Sequence, residues 1–166
     1  LLLVTALSQN RNVRILNQSI YRDLLQNDSY DLLFTIPSFG SRYNSEESNN
    51  HFITRDSECI AVETLIRHLG ERGKLLTVMP AKVTFASGPV QEFRRWIMAD
   101  YHLAAITSLP EGIFRPYAAI KTYLMGFDAK TTTGVTVGKI VDERGQLALK
   151  QKHWVSDADF SRHEDW

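Results

Sequence analysis

At 166 residues the chain has one domain's length and enough residues to bury a core. Its 43% hydrophobic and 23% charged residues are ordinary for a soluble globular domain, and no apolar run reaches the roughly 18 residues of a membrane span. Nineteen basic and nineteen acidic residues cancel, so the basic excess of a protein that grips duplex DNA alone is missing. The single cysteine, Cys59, excludes an internal disulfide and a cysteine-rich zinc site, which fits a cytoplasmic protein.

In chain order, residues 1–7 read as the tail of an apolar helix. The run Leu1-Leu2-Leu3-Val4 is too short, and lacks the basic flank, for a signal peptide. A chain that opens without Met reads as a fragment. Val13, Ile15 and Leu16 predict a short strand over 12–17, and Tyr21, Leu24 and Leu25 a turn of helix in the polar stretch that follows.

Leu32 to Ile36 form an apolar run interrupted only by Thr35, the pattern of a strand covered on both faces. Pro37, Ser38 and Gly40 break it abruptly, with Phe39 held among them. Such a strand end is how an open α/β sheet builds a ligand crevice. An ordinary turn fits the same pattern equally well. Residues 41–51 follow as a Ser/Asn-rich loop anchored only by Tyr43, a surface loop in preference to a lid over the site.

A helix is predicted over 56–69 from the spacing of Cys59, Val62, Ile66 and Leu69, with Asp56 or Thr54 as N-cap and Gly70 as terminator. Acidic Asp56 and Glu58 in its first turn read as dipole complements. A second buried strand spans 74–79 and closes at Pro80. Pro89 opens a helix over 88–99 whose inner face is Val90, Phe93 and Ile97. Strands are predicted over 102–108 and 120–127, and a β-hairpin over 135–149 around Asp142-Glu143-Arg144-Gly145. Alternating strands and helices imply right-handed crossovers and a mostly parallel sheet. Two basic groups, Lys82 with Arg94 and Arg95, and Arg67 with Arg72 and Lys74, read as solvated faces. The five histidines have no ligand-like spacing, so no metal site is expected.

Two stretches resemble a known family. YDLLFTIPSFG, residues 30–40, is similar to the (N/D)PP(F/Y) motif of amino-methylating DNA methyltransferases, in the form YDLILTNPPFG of type I restriction-modification methylase subunits. LPEGIFRPYAAIKT, residues 109–122, is similar to a second segment of the same family, and the resemblance covers residues 12–127. It implies the carboxyl-terminal half of a Rossmann-like, doubly wound methyltransferase sheet, with the strand at 120–127 running antiparallel. The implied division is a methyltransferase-like domain over 1–130, an added hairpin over 131–150, and a tail over 151–166 leading to a following module.

The resemblance also assigns roles. The target adenine leaves the duplex because its amino group cannot be reached in the stack. The motif's Asn or Asp side chain and the carbonyl of the next proline accept hydrogen bonds from that amino group, while the aromatic stacks on the base, worth about 1–3 kcal/mol. Here Pro37 matches the carbonyl-bearing proline, Ser38 replaces the second proline, and Phe39 matches the aromatic. Ile36 stands at the Asn/Asp position and has no acceptor. Loss of a positioned acceptor costs on the order of a hundredfold in rate, so the resemblance implies a degenerate catalytic site. Tyr117 and Lys121, in the second segment, would lie on the DNA side. Gln18 and Ser19 stand where the family commonly has an acidic residue near the adenine of the methyl donor, S-adenosylmethionine. The family's glycine-rich cofactor loop is not visible, since the nine glycines are scattered. Implied partners are DNA and the specificity and restriction subunits. The alternatives are a non-catalytic DNA-binding or partner-binding scaffold and an unrelated small α/β domain.

Overall fold

The structure is a computed structural model that describes residues 19, 21, 28–44, 51–130 and 133–160. The elements expected over 1–17, and the helical turn carrying Leu24 and Leu25, lie outside the described residues. Ten elements follow in order among the described residues. They are strand β1 (Tyr30–Thr35), helix α1 (Ser57–Ile66), strand β2 (Leu69–Pro80), helices α2 (Lys82–Phe85) and α3 (Pro89–Asp100), strands β3 (His102–Ser108), β4 (Thr122–Asp128), β5 (Gly134–Glu143) and β6 (Gln146–Ser156), and helix α4 (Asp157–Phe160).

The strands make one sheet in the order β1-β2-β4-β3-β5-β6. β1 is parallel to β2, and β3 to β5. β4 runs against both of its neighbours, β2 and β3, and β6 runs against β5. Four of the six strands therefore point the same way, and the expected α/β sheet with its antiparallel strand near 120–127 is present. The crossover through α3 leaves one sheet position open between β2 and β3, which β4 enters on its return.

Several elements fall where the periodicity places them. α3 buries Val90, Phe93 and Ile97, with Pro89 in its first turn and Gly88 (φ 69°) at its N-cap. That backbone angle favours glycine. β3 spans the residues expected. The four helices supply Cys59, Val62, Ile66, Val83, Phe93, Ile97 and Phe160 to one core cluster. On the strand side it is completed by Leu75, Met79, Leu103, Ile106, Met125, Phe127 and Val135.

Four expectations are corrected. The run Leu32 to Ile36 is not covered on both faces: Leu32 is 63%, Phe34 60% and Ile36 52% exposed. Among the described residues β1 is an edge strand, and the helices pack on the face to which Leu33 points, so alternate apolar side chains face away from them. α1 stops at Ile66, and Leu69 and Gly70 open β2. There the chain turns back beside β1: a Cβ on Gly73 would lie 2.7 Å from the Tyr30 carbonyl oxygen. The hairpin is longer than expected and belongs to the sheet, because Ala105, Ile106, Thr107 and Ser108 pair with Thr136, Val137, Gly138 and Lys139. β6 consequently takes in residues 151–156, which the sequence reading leaves in the tail. The basic groups are not merely solvated faces. Lys74 pairs with Asp128 at 2.9 Å, and Arg94 Nη1 donates to the Val83 and Ala86 carbonyls, both at 2.8 Å.

Candidate functional site

The site begins where β1 ends. Ile36 to Gly40 leave the sheet at its carboxyl edge, and Gly40 (φ 74°) takes a conformation few other residues adopt. The loop is stitched to the start of α1. Ser57 Oγ donates to the Ser38 carbonyl at 2.9 Å, and the Ser57 N–H donates to the Ser41 carbonyl at 3.0 Å. The Tyr43 N–H donates to the Arg55 carbonyl at 2.8 Å. The Tyr43 ring is buried and meets Phe52 edge-on at 5.5 Å and Tyr21 at 4.7 Å, so it is the anchor expected for the polar loop.

Phe39 stands half-buried against Phe114, with ring centroids 5.5 Å apart and planes at 77°. Phe114 sits in the turn at 111–117, which is closed by the Arg115 N–H to the Gly112 carbonyl at 2.9 Å and the Ala118 N–H to the Phe114 carbonyl at 2.9 Å. The two segments that carry the resemblance, far apart in sequence, thus meet through their aromatics.

The remaining expected residues are less closely gathered. Tyr117 is 95% exposed. Lys121 holds its Nζ 5.3 Å from the centre of the Tyr123 ring, and its carbonyl accepts the Ala81 N–H at 2.9 Å. Ser19 is exposed and its Oγ accepts the Tyr21 N–H at 3.3 Å, while Gln18 lies outside the described residues. Ile36 presents an apolar side chain at the strand end.

The sequence reading missed an ionic group beneath the loop. Glu58 is fully buried, and its Oε1 lies 2.7 Å from Lys82 Nζ, which also approaches Asp56 Oδ2 at 3.3 Å. Ser57 Oγ, already bonded to the motif loop, lies 3.3 Å from Glu58 Oε2. Burial alone pulls the Lys82 amine down, but the hydrogen bond and attraction from Glu58, with Asp56 adding to them, outweigh it and hold it above its ordinary value. Glu63, also buried, accepts from Arg67 Nη2 at 2.7 Å and from the Ile53 N–H at 3.1 Å. One signal was available: Cys59, Ile60, Ala61 and Val62 are consecutive and apolar, the mark of a helix buried all round, which takes Glu58 and Glu63 inside with it. Burial, followed by the charges of Glu58 and Asp56, pushes the Cys59 thiol far up, so it is protonated and unsuited to nucleophilic work at neutral pH.

Among the described residues no three His, Cys, Asp or Glu side chains group to hold a metal ion, and no helix is long and apolar enough to cross a membrane.

A mixed α/β sheet with a reversed strand between two parallel ones, and a broken strand end carrying an aromatic, makes this an open α/β domain with a crevice at its strand ends. A profile of the N-6 DNA Methylase family matches residues 5–166. The chain belongs to that family. It is 26% identical over 103 residues to the type I restriction enzyme EcoEI methylase subunit of Escherichia coli, covering 60% of this chain and 21% of that protein. A modification subunit of a putative type I restriction enzyme from Vibrio vulnificus has a similar structure (TM-score 0.63, 23% identity, 72% of this chain and 27% of that one). So does a putative class I S-adenosylmethionine-dependent methyltransferase from Listeria monocytogenes (TM-score 0.55, 17% identity, 70% and 38%). The chain spans about a fifth of the curated relative's length.

Proposed function

We propose that this chain is the base-pocket part of a type I DNA adenine methyltransferase, in a protein whose catalytic power is reduced at Ile36. The carrying observation is the contact of Phe39 with Phe114, which supports a walled pocket at the carboxyl end of β1. In this reading Phe39 stacks on the extruded adenine and the Pro37 carbonyl accepts one hydrogen bond from its amino group. Ser38 keeps the loop fixed through Ser57, and Tyr117 and Lys121 face the DNA. Ile36 supplies no acceptor to draw the nitrogen lone pair toward the methyl group.

S-adenosylmethionine would supply that methyl group in the complete protein. The described residues do not by themselves fit it: the glycines with positive φ are Gly40, Gly88, Gly112 and Gly145, one to a turn, and Ser19 is a neutral, exposed side chain. The protein's partners in this reading are DNA and specificity and restriction subunits, in the cytoplasm.

The test is Ile36→Asn in the natural polypeptide, with methyl incorporation and cofactor binding measured separately. A rise of on the order of a hundredfold in methyl transfer is expected. A protein that binds cofactor and gains nothing defeats the reading. The second reading, a non-catalytic scaffold, is favoured by the apolar Ile36 and the zero net charge, and failure of the natural polypeptide to bind cofactor selects it.

A further inference from the structure

Away from the motif loop, a cleft of about 500 Å³ opens between the helices and the ends of β3, β4, β5 and β6. Its geometry follows from register. Tyr123 pairs with Ser108, Ser108 with Lys139, and Lys139 with Gln151, so these four side chains form one row across four strands. Two residues back along β5, Val137 pairs with His153 on the same face. Ile106, Val137 and Phe160 give the floor, and the Tyr123 ring gives an aromatic wall.

The charged lining is of one sign. Lys121 and Lys139 line the cleft, His153 lies beside them, and among the described residues that line it there is no carboxylate. Asp157 and Asp159 sit nearby on α4 but outside the lining, with Asp159 bonded to Ser156 Oγ at 2.6 Å. The volume is that of a small-ligand pocket. Two lysines beside an apolar floor with an aromatic ring at its edge match a flat ring that carries a phosphate. A simple carboxylate would need only one of those charges.

We infer that this cleft binds a nucleotide unit, its phosphate held by Lys121 and Lys139 and its base laid on the apolar floor of Ile106, Val137 and Phe160. The unit can be a free nucleotide or one residue of a DNA strand. The second source rests on the function proposed above and fits its spacing. Neighbouring strands lie about 4.8 Å apart, so β3 and β5 stand roughly 14–19 Å from β1. Along one DNA strand that is about four to six steps of 3.4 Å.

The test titrates the natural polypeptide with a short fluorescent single strand, using AMP as competitor, for the parent, Lys139→Gln and Lys139→Arg. Lys139 is exposed, so its replacement leaves the fold intact, checked by an unchanged melting temperature. The parent is expected to bind the strand. Lys139→Gln should weaken binding severalfold and lower the slope of log K on log salt by about 0.7, and Lys139→Arg should restore both. Displacement by AMP assigns the cleft to free nucleotides as well, and failure of AMP to displace assigns it to the strand alone. Equal affinity and slope in the parent and Lys139→Gln, or no binding of either probe by the parent, overturns the inference. A parent that binds through Lys139 but transfers no methyl, with or without Ile36→Asn, overturns only the function proposed above.

Discussion

Phe39 and Phe114 meet edge to face at 5.5 Å, and this contact joins the strand-end loop to the turn at 111–117. An edge-to-face pair is worth about 0.5–1.5 kcal/mol beyond its buried area. Phe39→Ala and Phe114→Ala, measured singly and together by denaturant unfolding, should show a coupling of about 1 kcal/mol. Strict additivity would mean that the two rings do not support each other. Under the proposed function Phe114→Ala should also weaken base extrusion, read as reduced fluorescence gain from 2-aminopurine at the target position.

Ser57 holds the same loop from the other side. Replacing it with Ala removes the bond to the Ser38 carbonyl, a loss of about 1 kcal/mol. The expected signature is local: amide exchange at Ser38 to Ser41 accelerates, while α3 keeps its protection. Uniform acceleration throughout the chain would show that Ser57 acts on global stability instead.

Lys82 compensates a buried carboxylate at Glu58. Lys82→Met leaves that charge without its partner, and removing one member of a buried pair is strongly destabilising. Because the lysine is itself partly exposed, the expected loss is about 2 kcal/mol, below the roughly 3–5 kcal/mol of fully buried pairs. The pH dependence has a definite sign. The folded-state value of Lys82 is raised above 10.5, so its contribution is complete below the unfolded value and disappears as pH climbs through the folded one. Parent and Lys82→Met should therefore converge in stability as pH rises beyond lysine's ordinary value of 10.5 and through the raised folded-state value. A constant gap across that range would rule out the ionic account.

Gly73 is required for close approach rather than for chain flexibility. A Cβ there would lie 2.7 Å from the Tyr30 carbonyl oxygen and 2.8 Å from the Gly70 nitrogen, both backbone atoms with little freedom to retreat. Gly73→Ala should cost about 1–3 kcal/mol and lower the melting temperature by several degrees. A neutral result would mean that β1 and β2 part without cost at that point.

Much of the fold could be read from local pattern. α3 declares itself through Pro89 and the spacing of Val90, Phe93 and Ile97, and β3 through an apolar run between Tyr101 and Leu109. Both depend on neighbours a few residues away. β1 misled because an apolar run reports tolerance of burial, whereas burial itself depends on what packs against each face. Glu58 and Lys82 misled for the opposite reason. Charged side chains are read as solvated unless a partner is known, and this partner lies across the fold, on another helix.

The sequence by itself determined the α/β alternation, both segments that carry the family resemblance, and the identity of Ile36, Pro37, Ser38 and Phe39. These are properties of residue type and order. Only the tertiary structure decided that Phe39 meets Phe114, that Glu58 lies buried under the loop, and that the hairpin extends the sheet to form a cationic cleft. Each of these is a pairing between distant positions, settled by strand register and by which surfaces exclude water together, and no local pattern encodes it.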